Sequence, residues 1–140
     1  MCPNHLEAKH FMWKRTLFLC FALAGSALAQ EGHPLTGTWT GDWGAANAPR
    51  THLTLVISWD GDDKIAGVMN PGPDSTPMTI TANFTNWTVR IDADTKDASG
   101  KTVHIQADGK LEDIGSARRK LTGTWRQGNV SADLQVMREQ

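Results

Sequence analysis

Few side chains in this chain have the type and spacing that chemistry requires. The histidines downstream of residue 30 are His33, His52 and His104, in three separate segments, and three scattered imidazoles do not make the convergent ligand set that zinc needs. Asp60, Asp62 and Asp63 crowd one short stretch around Gly61, where oxygen ligands could hold a hard cation. Their spacing fits no EF-hand loop, and Asp-Gly between two apolar runs is ordinary hairpin chemistry. Gly-x-Ser-x-Gly, His-Glu-x-x-His and the phosphate-binding P-loop are all missing. Both cysteines, Cys2 and Cys20, precede residue 30. No metal, no cofactor and no catalytic activity are expected.

The elements that carry these residues are read as strands. From Leu35 onward apolar and polar residues alternate with period two, and turn residues interrupt them at short intervals. Eight strands are predicted: 35–43, 51–59, 64–70, 78–84, 87–93, 102–112, 120–126 and 131–139. Asp60 to Asp63 and Gln127-Gly128-Asn129 are hairpin turns, and Pro71-Gly72-Pro73 with Pro77 is read as a loop outside any ladder. One parity is apolar throughout, as in Leu53, Leu55, Ile57 and again in Ile80, Ala82, Phe84. The other parity is polar, as in Thr79, Thr81, Asn83. An outer-membrane barrel would reverse this, with its apolar side toward lipid. The fold class is therefore all-β, an eight-stranded antiparallel up-and-down barrel with its apolar face inward.

Leu-Thr-Gly-Thr-Trp occurs twice, at Leu35 to Trp39 and at Leu121 to Trp125. If the eighth strand closes the barrel against the first, strands one and seven run in the same direction on either side of it. The two copies then enter from the same end, with Gly37 and Gly123 allowing tight coiling.

The residues before Gln30 read as an export signal. Lys14 and Arg15 precede the apolar run Leu17 to Ala24, and Ala27-Leu28-Ala29 has the small-x-small form of a cleavage site. The expected organisation is a signal over 1–29, with Met12 as an alternative start, and one barrel domain over 30–140. The apolar run is too short for a mature membrane span. Without Lys9, Lys14, Arg15 and Glu7 the mature part holds 11 basic and 14 acidic residues, a formal charge of −3. The signs are interspersed and no basic stripe exists, so nucleic acid is not an expected partner. A periplasmic or secreted product is expected.

Gly37-Thr38-Trp39 at the head of an eight-stranded meander resembles the calycin superfamily, which takes in lipocalins, fatty-acid-binding proteins and avidins. In lipocalins the tryptophan of this motif closes one end of the barrel and an arginine of the last strand lies across it. The resemblance implies that Trp39 is the closing ring and that Arg138, of inward parity near the end of strand eight, covers it. Gly37, Trp39, Gly123 and Arg138 are then structural closure residues. The opening Leu-Thr-Gly-Thr-Trp is also similar to the start of an avidin-type strand. The chain departs from these families in lacking tyrosine and a helix after the barrel, and no biotin site is expected.

Strand direction separates two ends. Trp39, Trp59, Phe84 and Trp87 gather at one, read as plugged. At the other, the connections 44–50, 70–77 and 94–101 are longer, as binding loops usually are. The inward residues nearest that mouth are Trp43, Leu53, Met69, Met78, Ile91, Val103 and Trp125, and they form the candidate pocket for a small hydrophobic molecule. The alternative is a barrel filled by its own side chains, serving as an interaction module such as a periplasmic hydrolase inhibitor with Gln30 to Pro34 as a free tail, or as a structural protein of the envelope. A protein partner belongs to that alternative.

Overall fold

The computed structural model describes residues 33–61 and 64–140. The expected signal, its alternative start, and Asp62 and Asp63 of the first hairpin turn lie outside the described residues. Eight strands follow one another with no helix among the described residues: β1 (Gly37–Gly44), β2 (Thr51–Trp59), β3 (Ile65–Met69), β4 (Thr76–Asn83), β5 (Thr88–Lys96), β6 (Thr102–Glu112), β7 (Lys120–Gln127) and β8 (Val130–Arg138). Each pairs antiparallel with the next, and β1 pairs with β8, so the sheet is a closed up-and-down barrel without a free edge. No helix of the described residues is long and apolar enough to cross a membrane.

The inward parity forms one core. Leu53, Leu55 and Ile57 of β2, Val89, Ile91 and Ala93 of β5, and Leu134 and Val136 of β8 are all buried. Among the described residues no polar or charged residue is buried. Burial of apolar area is the driving force that the period-two pattern encodes.

β8 lies between the two copies of the repeat, as the shared direction of strands one and seven requires. Trp39 stands opposite Arg138 and Trp125 opposite Ala132, so the second copy is displaced six residues along β8. That displacement brings Trp125 close to the height of Trp43, which stands opposite Leu134. The β7 to β8 turn has Gly128 as the first of two central residues with φ 58°, the sign that a type II′ hairpin needs there.

Two expectations about the strands are corrected. Pro77 is inside β4, opposite Val68 of β3. It is tolerated because the β5 ladder begins only at Met78, opposite Ala93, so Pro77 is paired on one side. Strand β5 also runs on to Lys96, which shortens its connection to 97–101. There Asp97 Oδ1 accepts from the Ser99 hydroxyl at 2.6 Å and from the Ser99 and Lys101 amides, and these donors hold its carboxyl below the usual range. The contrast in loop length between the two ends is consequently small, and the longest connection, 113–119, lies at the end read as plugged.

Candidate functional site

Leu53, Met69, Met78, Ile91 and Trp125 of the candidate pocket are buried members of the core, and Trp43 packs against it. Val103 is half-buried. Trp43 and Trp125 stack across the mouth, with ring centroids 5.0 Å apart and planes within 16°. Trp125 Nε1–H donates to Gln127 Oε1 at 3.3 Å. Beside them Arg50 folds the β1 to β2 loop onto the wall, with Nε 2.5 Å from Asp42 Oδ1 and Nη1 3.1 Å from Asp133 Oδ2. The sequence-predicted lining thus comes together as packed core beneath a stacked indole pair.

At the other end two of the expected closure residues, Gly37 and Arg138, meet beside Trp39, whereas Gly123 stands opposite Leu134, four residues along β8 from Arg138. The Trp39 indole is fully buried, and Nε1–H donates to the Leu35 carbonyl at 2.8 Å. Arg138 stands opposite Trp39 in register. Its guanidinium donates from Nε to the Thr36 carbonyl at 2.8 Å and from Nη1 to the Ala117 carbonyl at 3.4 Å. Gly37 has φ 130°, and a Cβ there would lie 2.9 Å from Arg138 Nε. Glycine therefore supplies both the backbone conformation and the space over which the arginine lies. Arg119 adds a second tie, from Nε to the Ile114 carbonyl at 2.9 Å and from Nη1 to the Pro34 carbonyl at 3.0 Å. Two arginines thus tie the segment before β1, the 113–119 loop and the end of β8 together.

Beside these tied segments lies a partly exposed aromatic group. The His33 ring is 5.5 Å from Trp59 and 5.1 Å from Phe84, and Phe84 meets Trp87 edge-on at 5.8 Å. Trp59 is 46% exposed and Phe84 37% exposed, whereas Trp87 packs partly buried against the core. Trp87 has φ 58°, a left-handed conformation unusual for a bulky residue. Strain of this kind costs on the order of 1–3 kcal/mol and collects where a surface is used. Inward parity groups Trp59, Phe84 and Trp87 with the buried Trp39 and places all four in the plug. Trp59 and Phe84 stand at strand ends, past the last full layer of the barrel, so inward parity no longer means burial.

The free tail expected over Gln30 to Pro34 is anchored from His33 onward. The Thr36 amide donates to the His33 carbonyl at 2.9 Å, the Leu35 amide to His33 Nδ1 at 3.3 Å, and Leu35 is fully buried. His33, a residue of the expected free tail, instead takes a place among the rings. The one available signal is its spacing from the buried Leu35.

The histidines do not converge. His52 Nε2 lies 3.3 Å from Thr54 Oγ1 on the outer wall. His104 sits between two carboxylates, with Nδ1 2.9 Å from Asp94 and Nε2 3.3 Å from Asp92. Among the described residues no group of three or more His, Cys, Asp or Glu could hold a metal.

His33 and His104 shift in opposite directions from the ordinary 6.5. Burial lowers His33, while the hydrogen bond that His104 donates to Asp94, followed by charge, raises His104. For His33 the unfolded chain binds the proton more readily, so its contribution to stability is complete above about pH 6.5 and is lost as pH falls through the depressed value. For His104 the contribution is complete below about pH 6.5 and is lost as pH rises through the raised value. An NMR titration of the two imidazoles should find midpoints on either side of 6.5, with Asp94→Asn lowering that of His104 alone. Midpoints in the reverse order would contradict this assignment.

Comparison of the chain with protein-family models, with curated proteins and with solved structures finds no match.

Proposed function

We propose that this chain is an exported interaction module, a barrel filled by its own core that captures a protein partner at its aromatic end. The observation that carries the reading is the exposed pair Trp59 and Phe84 with the half-buried His33 between them, next to a segment tied down by Arg119 and Arg138. Exposed aromatic rings on a preorganised surface are the usual anchors of protein interfaces, because they bury much area while losing little side-chain entropy. The partner's contribution is an apolar or aromatic side chain on a loop, as in a hydrolase met by an inhibitor.

Export belongs to the same reading and rests on Lys14-Arg15, the apolar run and Ala27-Leu28-Ala29. A distant calycin relationship rests on Gly37-Thr38-Trp39, the closed meander and Arg138 in register with Trp39. A carrier of a small apolar molecule is the rival reading, and it would need the Trp43 and Trp125 stack to open.

Displayed peptides selected on the purified chain, with affinities then measured by calorimetry, test the proposal. Selected peptides should carry an aromatic or aliphatic anchor, and the double variant Trp59→Ala, Phe84→Ala should weaken them about 30-fold or more, the size of a hot-spot loss. Trp43→Ala should leave their affinity unchanged. Failure to select any peptide, or peptides that bind the double variant equally well, would overturn the reading. Saturable uptake of a fluorescent fatty acid that quenches the Trp43 and Trp125 pair would move the function to the lumen.

A further inference from the structure

The outer wall beside the β4 to β5 turn carries a second candidate site. Strand register sets two polar rows side by side across β4 to β7: Thr81, Arg90, Asp108 and Thr124 in one, and Asn83, Thr88, Lys110 and Thr122 in the other. Between them runs the inward row Ala82, Val89, Gly109 and Gly123, whose two glycines stand opposite each other. The backbone there comes so close that a Cβ on Gly123 would lie 2.5 Å from the Gly109 Cα. The wall accordingly bends, and the space between the polar rows is an open hollow of about 570 Å³. That size is in the range of small-molecule sites, which run roughly from 300 to 1,000 Å³.

Three of the groups facing this hollow, Arg90, Lys110 and Asn83, have donors to offer. Arg90 gives Nε–H to Asp108 Oδ1 at 2.7 Å, which orients the guanidinium, and its terminal nitrogens make no hydrogen bond among the described residues. Asp108 is itself engaged further by Arg126 at 3.4 Å and by Gln106 at 3.3 Å, so its charge is already compensated. Lys110, in the facing row, has no ion pair or hydrogen bond among the described residues. Asn83 Oδ1 is occupied by the Thr85 amide, which leaves the Asn83 amino group as a donor. The Thr88 and Thr122 hydroxyls donate to Asn86 and Glu112, so what they have left to offer is lone pairs.

We propose that this hollow binds a small oxyanion carried on a hydroxylated body, a sugar acid or a sugar phosphate. The oxyanion bridges the Arg90 terminal nitrogens and the Lys110 ammonium, where charge-assisted hydrogen bonds are strongest. The hydroxyl groups of the body meet Asn83, Thr88 and Thr122, which between them offer a donor and acceptors. The hollow borders the aromatic end through Asn83 and Thr88 but is lined by none of its rings, so Arg90 and Lys110 variants test it apart from the Trp59 and Phe84 variants that test the proposed protein partner.

Amide NMR of the full chain, titrated with glucuronate, glucose 6-phosphate and glucose, tests the inference. Glucuronate or glucose 6-phosphate should give saturable shifts at Thr81, Arg90, Lys110 and Thr122 with a dissociation constant on the order of 1 mM. Comparing the two acids decides between carboxylate and phosphate, and glucose should bind about tenfold more weakly or not at all. Arg90→Gln with Lys110→Gln should remove the shifts while leaving the fold intact, since exposed ion pairs contribute little to stability. Equal binding of glucose, shifts spread over every Lys and Arg, or no saturation by either acid would overturn the proposal.

Discussion

Trp39→Ala is expected to lower the unfolding free energy by about 3–5 kcal/mol, the range for truncating a large buried ring. Trp39 is wholly buried between β2 and β8, opposite Leu55 on one side and Arg138 on the other. Its removal leaves a cavity at the closed end and also deprives the Leu35 carbonyl of its indole donor. Leu35 is itself fully buried, so water does not readily replace that donor. Against a total stability of about 5–15 kcal/mol for a domain, the loss is a large share. Trp39→Phe separates the two contributions, because it restores most of the volume and none of the hydrogen bond, and it should cost less. Equilibrium urea unfolding measures both, and a Trp39→Ala loss below about 1 kcal/mol would refute the closing role.

The second large effect is expected at Gly123. A Cβ there would lie 2.0 Å from the Asp108 carbonyl oxygen and 2.5 Å from the Gly109 Cα, both of them backbone atoms of the neighbouring strand. No rotamer change relieves such a contact, so β6 and β7 must separate. Gly123→Ala should therefore reach or exceed the upper end of ordinary overpacking, about 3 kcal/mol. Gly115→Ala is the control. Nothing lies within 4 Å of a Cβ at Gly115, and its substitution should stay within about 0.5 kcal/mol of the parent. Equal stability of the two variants would show that the close approach at Gly123 does not constrain the barrel.

The asymmetry between the two repeated glycines illustrates how much of the site is legible in a linear pattern. Both are recognisable as necessary from Leu-Thr-Gly-Thr-Trp alone, since a repeat at the two flanks of a closing strand calls for tight coiling at both. Their partners differ. Gly37 makes room for Arg138 from the far end of the chain, while Gly123 makes room for the β6 backbone. Local sequence contains the requirement for a missing Cβ, and only the assembled wall contains the atom that would collide with it.

The proposed sites divide in the same way. Trp59, Phe84 and Trp87 are marked by position as one group, because alternate strands end where the next begin. Whether a ring at such an end is buried depends on how far the neighbouring strands extend past it, and Trp59 and Phe84 stand beyond that cover. His33 joins them through the anchoring of Leu35 and the ties from Arg119 and Arg138, contacts between residues up to 102 positions apart. The trough on the outer wall is less legible still. Arg90 and Lys110 are unremarkable exposed residues until register sets them in adjacent rows over a pair of glycines.

The sequence by itself determined the eight strands, the face that each buries and the closure of β8 against β1. Alternation with period two commits every side chain of a strand to one face, and short connections leave antiparallel neighbours as the only pairing within reach. The tertiary structure decided which residues meet. Stagger between neighbouring strands accumulates around a closed barrel, so the six-residue displacement of the second repeat, the Trp43 and Trp125 stack and the polar rows of the outer wall are properties of all eight registers together. No single segment contains that sum.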